Sequence, residues 1–201
     1  GATVDVASAD GIEPAGAAGV LDALAATAVA LTQGASPEHI QRALDAYQVA
    51  GHRGALVHSG GGVDWVDNSK ATNPHAADSA LTGAGPVVWV AGGQLKGASV
   101  DAVVKAHAKQ FRAVALLGVD RELIRTSLAQ VVPEVPVFVS DAQDPEQAMD
   151  EVVAWAATQA QPGDTVLLAP AAASLDMFSG MSARGDAFAA AAMRHWNPHN
   201  K

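Results

Sequence analysis

Short apolar strands alternate with helical segments from about residue 55 onward, and this alternation constrains the fold more than any other feature of the sequence. Such near-continuous apolar runs are typical of a mostly parallel sheet that helices cover on both faces. We therefore predict an α/β fold. The predicted strands are Val63–Asp67, Val87–Ala91, Ala113–Leu117, Val137–Val139 and Thr165–Ala169.

A glycine-rich turn lies between the first two apolar runs of this pattern. Ala55–His58 and Val63–Val66 are joined by Ser59-Gly60-Gly61-Gly62. Because glycine readily adopts positive φ, the two runs are predicted to form an antiparallel hairpin at one edge of the sheet.

Helices are predicted between the strands from apolar residues at helical spacing. Asn73-Pro74 and Asp144-Pro145 each place a capping side chain before a proline in the first helical position. The predicted helices are Pro74–Leu81, Val100–Gln110, Arg121–Gln130, Pro145–Ala160 and Arg184–Trp196.

The first 50 residues differ in texture from the rest. Ala18–Gln33 is predicted to be a buried helix, and Ser36-Pro37-Glu38 is predicted to begin a second one. Two helices of this size cannot enclose a core by themselves. We expect residues 1–50 to complete a domain whose remainder lies elsewhere, residues 51–201 to form a second domain, and the boundary to fall within Val49–Gly54.

Composition excludes several classes of function. A net charge of −9 with only 12 Lys and Arg disfavours a nucleic-acid binder. The absence of Cys excludes disulfides and Cys-ligated zinc, and is consistent with the cytoplasm. No apolar run reaches the roughly 18 residues of a membrane span. The seven His residues lack ligand spacing, so no metal site is assigned.

Four clusters of Gly, hydroxyl and charged residues begin where predicted strands end. Ligands of open α/β sheets bind outside the carboxyl ends of the strands. We expect the clusters to share one rim, with Lys70, Lys96 and Arg121 favouring an anionic ligand near the hydroxyls of Ser69 and Thr72. The clusters are Asp67–Asn73, Gly92–Gly97, Gly118–Arg121 and Pro170–Asp176.

Each cluster also has an ordinary structural interpretation. Gly92–Lys96 resembles a common strand-to-helix turn with a solvated lysine, and Asp120 is a good helix N-cap. His52-Arg53 suits either a hinge contact or a phosphate-facing pair. The sequence has no Gly-x-Gly-x-x-Gly turn, which disfavours a dehydrogenase, and no P-loop that could hold ATP. It also has no Gly-x-Ser-x-Gly elbow, so Ser174 is expected to donate a hydrogen bond and not to act as a nucleophile.

Taken in order, these clusters carry a more specific pattern. The motifs are His52-Arg53, D-N-S-K-A-T-N-P, A-G-G-x-x-K-G, G-x-D-R, L-A-P-A-A-A-S-L-D-M-F and R-G-D-x-F. Between about Ala18 and Met193 the sequence resembles the D-glutamate-adding ligases of the Mur family. The resemblance implies a Rossmann-like domain at residues 51–201, preceded by the last helices of a central ATP-binding domain at residues 1–50.

The resemblance also implies the reaction. Such ligases use ATP and Mg²⁺ to convert the L-alanyl carboxylate of UDP-N-acetylmuramoyl-L-alanine into an acyl phosphate. The amine of D-glutamate attacks this carbonyl, and ADP and phosphate leave. The first domain, which holds the UDP-sugar, and most of the central domain, which holds ATP, are expected to lie outside this sequence, so the chain alone is expected to be inactive.

Carried over residue by residue, the resemblance assigns Lys70 to catalysis near the transferred phosphoryl group. Nucleotide contacts fall on Arg53, Asp67 and Asn68. The implied D-glutamate contacts are Thr72, Lys96, Ser174, Leu175 and Met181.

Two positions depart from the family pattern. Asn68 stands where the family usually has Asp, which removes a charge from the ribose contact and shifts it toward Asp67. Met181 replaces an aromatic residue whose backbone holds the substrate. Another Mur-type ligase, a folylpolyglutamate-type ligase and a non-catalytic binding domain on the same fold are the alternatives.

Overall fold

The computed structural model describes residues 5–12, 17–47 and 51–195, and the chain separates into two compact units, 1–50 and 51–201. The predicted start of the boundary at Val49 and the predicted helix end at Trp196 lie outside the described residues. None of the described helices is both long and apolar enough to cross a bilayer.

The first unit contains two helices, α1 (Ala17–Thr32) and α2 (Pro37–Ala46). Ser36 caps α2 as predicted, since its side chain accepts a hydrogen bond from the His39 amide (3.3 Å). The prediction that α1 is buried is wrong within this chain, because two helices offer too little apolar surface to cover it. Its exposed side chains include Leu21 (65%), Leu24 (59%) and Val29 (64%).

The second unit is a six-stranded sheet with five helices among its described residues. Its strands are β1 (Ala55–Gly60), β2 (Val63–Asp67), β3 (Val87–Gly92), β4 (Phe111–Leu117), β5 (Val137–Val139) and β6 (Thr165–Leu168). Its helices are α3 (Pro74–Leu81), α4 (Asp101–His107), α5 (Arg121–Val131), α6 (Pro145–Gln159) and α7 (Met181–His195).

The strand order is β1-β2-β6-β3-β4-β5, with β1 antiparallel to β2 and the other pairs parallel. The predicted mostly parallel sheet and its antiparallel edge hairpin are therefore confirmed. Strand β1 runs two residues longer than predicted, to Gly60, because only Gly61 and Gly62 form the turn, with φ of 55° and 78°.

Helices cover both faces of the sheet. Successive residues of β3 point to opposite sides: Trp89 packs in one apolar cluster and Val88 in the other. The Trp89 cluster includes residues of α3, α4 and α5, and the Val88 cluster includes residues of α6 and α7. The strands are thus buried on both sides, as their continuous apolar runs predict.

Two helix limits differ from the prediction by three residues, and the others that differ do so by one. Helix α7 begins at Met181 rather than Arg184, because the Arg184 amide already bonds the Gly180 carbonyl and closes the first turn (3.2 Å). Helix α4 ends at His107, whose ring bonds Asp78 (2.7 Å) and Gln110 (3.1 Å) as the chain turns into β4. The prolines and caps of α3 and α6 confirm their predicted starts.

Trp89 anchors the centre of the sheet. Its ring is fully buried and stacks on Phe111, with centroids 5.3 Å apart, and its indole Nε1 donates to the Ala169 carbonyl (2.8 Å). That bond joins β3 to the residue that follows β6. Trp155 offers a comparison, since it stacks on Phe138 at 5.6 Å but is only partly buried.

We predict that Trp89→Phe lowers the free energy of unfolding by about 2–4 kcal/mol, because it leaves a cavity and removes a buried donor. Trp155→Phe should cost about 1 kcal/mol or less. Urea unfolding of the two variants measures the difference. Equal losses would mean that the Trp89 hydrogen bond adds nothing to ring packing.

Candidate functional site

The carboxyl ends of the parallel strands β2, β6, β3 and β4 lie at the same end of the sheet. We call the segments that follow these four strands the rim. The strand order places the segment after β6 between those after β2 and β3. All four clusters singled out in the sequence therefore lie on this rim, as expected for an open α/β sheet.

Backbone bonds hold the rim segments to one another. Gln94 and Ala173 exchange two hydrogen bonds (2.8 and 2.9 Å), which join the segments after β3 and β6. The Asp120 amide donates to the Gly93 carbonyl (3.1 Å) and so joins the segment after β4.

Carboxylates reinforce the same contacts. Asp120 does not cap α5 with its side chain, contrary to the prediction; its carboxylate instead accepts from the Leu95 amide (2.7 Å). Asp176 accepts from the Val119 amide (2.8 Å). Both acids therefore fix one rim segment to another, which sequence spacing did not reveal.

Arg184, near the start of α7, lies beneath the rim and is 1% exposed. Its guanidinium donates to both the hydroxyl and the carbonyl of Ser69 (3.0 and 2.9 Å). It also donates to the carbonyls of Gly92 (3.3 Å) and Ala172 (3.0 Å). One side chain thus binds the segments that follow β2, β3 and β6.

Burial lowers the pKa of Arg184 to about 10, while the nearby charges of Asp176 and Asp67 act in the opposite direction. The guanidinium is therefore still cationic at neutral pH. A buried cation is tolerated only where hydrogen bonds and opposite charges compensate for lost water.

Ser69 and Arg121 have internal roles instead of the ligand-facing ones expected from the sequence. Ser69 is fully buried, and its hydroxyl donates to the Met181 carbonyl (2.8 Å). Arg121 donates to the Gly118 carbonyl (2.9 Å) and to Asp141 (3.0 Å). Of the three basic residues predicted to face an anionic ligand, we therefore keep Lys70 and Lys96 as candidates.

Glycines let the rim segments approach closely. A Cβ at Gly92 would lie 1.8 Å from the Leu117 carbonyl oxygen, and one at Gly93 would lie 2.1 Å from that of Ala173. Both residues have positive φ. The first two glycines of A-G-G-x-x-K-G are therefore required by backbone packing.

The two lysines differ in their setting. Lys96 is exposed and has a φ of 54°, so the tight turn presents its side chain to solvent beside the rim. Lys70 is partly buried, and its amide bonds the His52 carbonyl (3.1 Å). Thr72, two residues later, is also partly buried.

The segment after β6 contributes one buried and one exposed residue. Ser174 is 4% exposed and lines a small pocket with Gly92, Gly93 and Arg184, whereas Leu175 is 67% exposed. Met181 begins α7, so its amide is among those that have no partner within the helix. A helix N-terminus at the rim favours negative charge.

His52 was left open by the sequence, and the structure gives it a definite contact. Its Nδ1 lies 2.6 Å from Asp67 Oδ2, and the other oxygen of Asp67 accepts from the Ser69 amide (2.8 Å). Asp67 is 2% exposed, and both its oxygens are occupied. Arg53, the next residue, is exposed.

Gly185 makes room for this pair. A Cβ at Gly185 would lie 2.1 Å from His52 Nδ1 and 2.5 Å from Asp67 Oδ2. The R-G-D-x-F motif thus combines an arginine that binds the rim with a glycine that admits the His52 ring.

We predict that Gly185→Ala lowers the free energy of unfolding by about 1–3 kcal/mol, since the methyl group must displace the ring from Asp67. Gly180→Ala is the control, because a Cβ there meets nothing within 4 Å. It should change stability by less than about 0.5 kcal/mol. Thermal unfolding compares them, and equal effects would contradict this account of Gly185.

Comparison with known proteins bears on these motifs directly. The family described as "Mur ligase, glutamate ligase domain" matches residues 52–172, which include the rim segments up to Ala172. The chain belongs to the Mur ligase family. Sequence-based recognition of the family is therefore confirmed.

The relatives of this Mur ligase chain are close in sequence. It is 56% identical over 195 residues to a UDP-N-acetylmuramoylalanine–D-glutamate ligase of Corynebacterium diphtheriae, covering 97% of the chain and 41% of the relative. The enzyme of the same name in Mycolicibacterium smegmatis is 43% identical, with coverages of 94% and 44%. The chain thus spans about two fifths of such relatives.

Solved Mur ligases share the fold. MurC of Thermotoga maritima, a UDP-N-acetylmuramate-alanine ligase, superposes with a TM-score of 0.63 at 16% identity over 91% of this chain and 39% of its own. MurF of Acinetobacter baumannii superposes with a TM-score of 0.58 at 18% identity over 90% and 38%. The predicted Rossmann-like sheet is thereby confirmed.

Proposed function

We propose that the chain is the acceptor-binding part of an ATP-dependent ligase that joins D-glutamate to UDP-N-acetylmuramoyl-L-alanine in peptidoglycan synthesis. The observation that carries the proposal is the convergence of Lys70, Thr72, Lys96, Ser174 and the start of α7 on one rim. The names of the relatives support the choice of substrates.

The chemistry of the acceptor fits such a rim. D-Glutamate carries two carboxylates, and the reaction requires a free amine. We assign one carboxylate to Lys96 and Thr72, and the other to Ser174 with the backbone near Leu175 and Met181. Fixing both carboxylates orients the amine toward the activated carbonyl, which lowers the entropic part of the barrier.

ATP enters this proposal as a substrate that the longer protein mainly binds. Arg53 is exposed, and we assign it to the phosphates of ATP. Lys70 is partly buried at the rim, and we assign it to the transferred phosphoryl group. Asp67 is buried and each of its oxygens already has a partner within the protein, so we place the ribose contact on the partly buried Asn68. Mg²⁺ is assigned to the longer protein, and its chemistry there is to neutralise phosphate charge.

Residues 1–50 are proposed to be the end of the central ATP-binding domain. The exposed apolar side chains of α1 support this, since Leu21, Leu24 and Val29 need a surface to cover them. Amide hydrogen exchange in α1 is expected to be slower in the full-length enzyme than in the 201-residue chain. Equal exchange would count against the assignment. A cytoplasmic location is part of the same proposal.

The first test is phosphate release from ATP by the full-length enzyme with UDP-N-acetylmuramoyl-L-alanine. D-Glutamate is expected to support turnover and L-glutamate is not. Turnover with L-glutamate instead would favour another Mur-type ligase, and turnover with neither would favour a folylpolyglutamate-type ligase or a binding domain. The 201-residue chain by itself is expected to release no phosphate.

The second test concerns Lys96. Lys96→Met in the full-length enzyme should raise the KM for D-glutamate roughly 10- to 100-fold, because it removes a charge-assisted hydrogen bond. Lys105→Met is the control, since Lys105 is an exposed lysine in the last turn of α4. An unchanged KM in Lys96→Met would remove this residue from the acceptor site.

A further inference from the structure

Arg184 has a position that its family motif does not explain. A charged side chain that is 1% exposed costs free energy to bury, so its contacts should be worth more than packing. The residue lies below the rim, and the mechanism proposed above gives it no contact with substrate. Its role must therefore be sought in what it holds.

The partners of Arg184 are backbone and hydroxyl oxygens in three segments that are far apart in sequence. They are Ser69 after β2, Gly92 at the end of β3, and Ala172 after β6. Ser69 also connects Arg184 to the start of α7, because its hydroxyl accepts from Arg184 Nε and donates to the Met181 carbonyl. Arg184 thus reaches every segment that carries a proposed D-glutamate contact.

The sequence distances from these oxygens to the proposed contacts are short. Ser69 is three residues before Thr72, Gly92 is four before Lys96, and Ala172 is two before Ser174. Over such short distances a shift of the anchor is passed on to the contact residue. The Gln94–Ala173 bridge adds stiffness between two of the segments.

We infer that Arg184 is a positioning residue for the acceptor site: by binding three of the four rim segments and, through Ser69, the start of α7, it sets the spacing between the two groups that hold the acceptor carboxylates. This inference rests on the proposed function. It assigns Arg184 no contact with the acceptor itself.

The geometry requires a planar, multiply donating cation. The Arg184 nitrogens point to four oxygens in different directions, and Nη1 is shared between Gly92 and Ala172. A lysine ammonium is a compact point charge that cannot span these positions. Charge alone should therefore not replace arginine here.

The experiment compares Arg184→Lys with Arg112→Lys in the full-length enzyme. Arg112 forms a bidentate ion pair with the buried Asp164. Asp164 lies just before β6, at the end of the strands opposite the rim. Both changes disturb a fixed arginine, but only Arg184 binds the rim.

Arg184→Lys is expected to raise the KM for D-glutamate roughly 10- to 100-fold, the usual cost of misplacing a group by about 1 Å. The KM for UDP-N-acetylmuramoyl-L-alanine should stay within about 3-fold, because its binding is assigned to the first domain of the longer protein. Arg112→Lys should lower thermal stability without this selective change. Equal KM values for D-glutamate in wild type and Arg184→Lys, or equal increases in both variants, overturn the inference.

A second variant guards against misfolding of Arg184→Lys. Ser69→Ala keeps the arginine but removes the hydroxyl between Nε and Met181, and should raise the KM for D-glutamate about 3- to 10-fold. If Arg184→Lys does not fold and Ser69→Ala leaves this KM unchanged, the inference is wrong. Failure of the wild type to use D-glutamate would instead refute the proposed function.

Discussion

The buried guanidinium of Arg184 is the interaction on which the candidate site depends. A cation with almost no solvent contact is stable only when oxygens surround it, and the oxygens that do so belong to Ser69, Gly92 and Ala172. These residues end or follow three different strands. The need to compensate one buried charge therefore fixes the relative positions of segments that share no sequence proximity.

The sheet makes that arrangement possible. Because β6 lies between β2 and β3, the last strand in sequence delivers its segment to the middle of the rim. Glycines then allow contact distances that any side chain would prevent, as the Cβ position of Gly92 against Leu117 demonstrates. Packing and polar bonding at the rim are thus two parts of one constraint: close backbone approach brings the carbonyls within reach of the arginine.

Contacts between residues that are close in sequence were predictable, whereas contacts between distant residues were not. The caps at Ser36, Asn73 and Asp144 were predicted because a cap is a contact within four residues. The prediction that the Asp120 side chain caps α5 was wrong, because its carboxylate instead accepts from the Leu95 amide, which is distant in sequence. The candidate site residues were reached through the resemblance of motifs, and their roles stay proposals. The sequence placed Arg184 in the R-G-D-x-F motif but did not predict its burial, because no local pattern indicates that an arginine is buried.

The sequence by itself determined the α/β class, the edge hairpin, most helix starts and membership of the Mur ligase family, because period, caps, turn glycines and motifs are local properties. Only the tertiary structure decided the strand order, the occupied oxygens of Asp67, the internal roles of Ser69 and Arg121, and the central place of Arg184. Those features depend on contacts across as many as 115 positions. Such contacts form because a buried charge must find partners, wherever in the chain they lie.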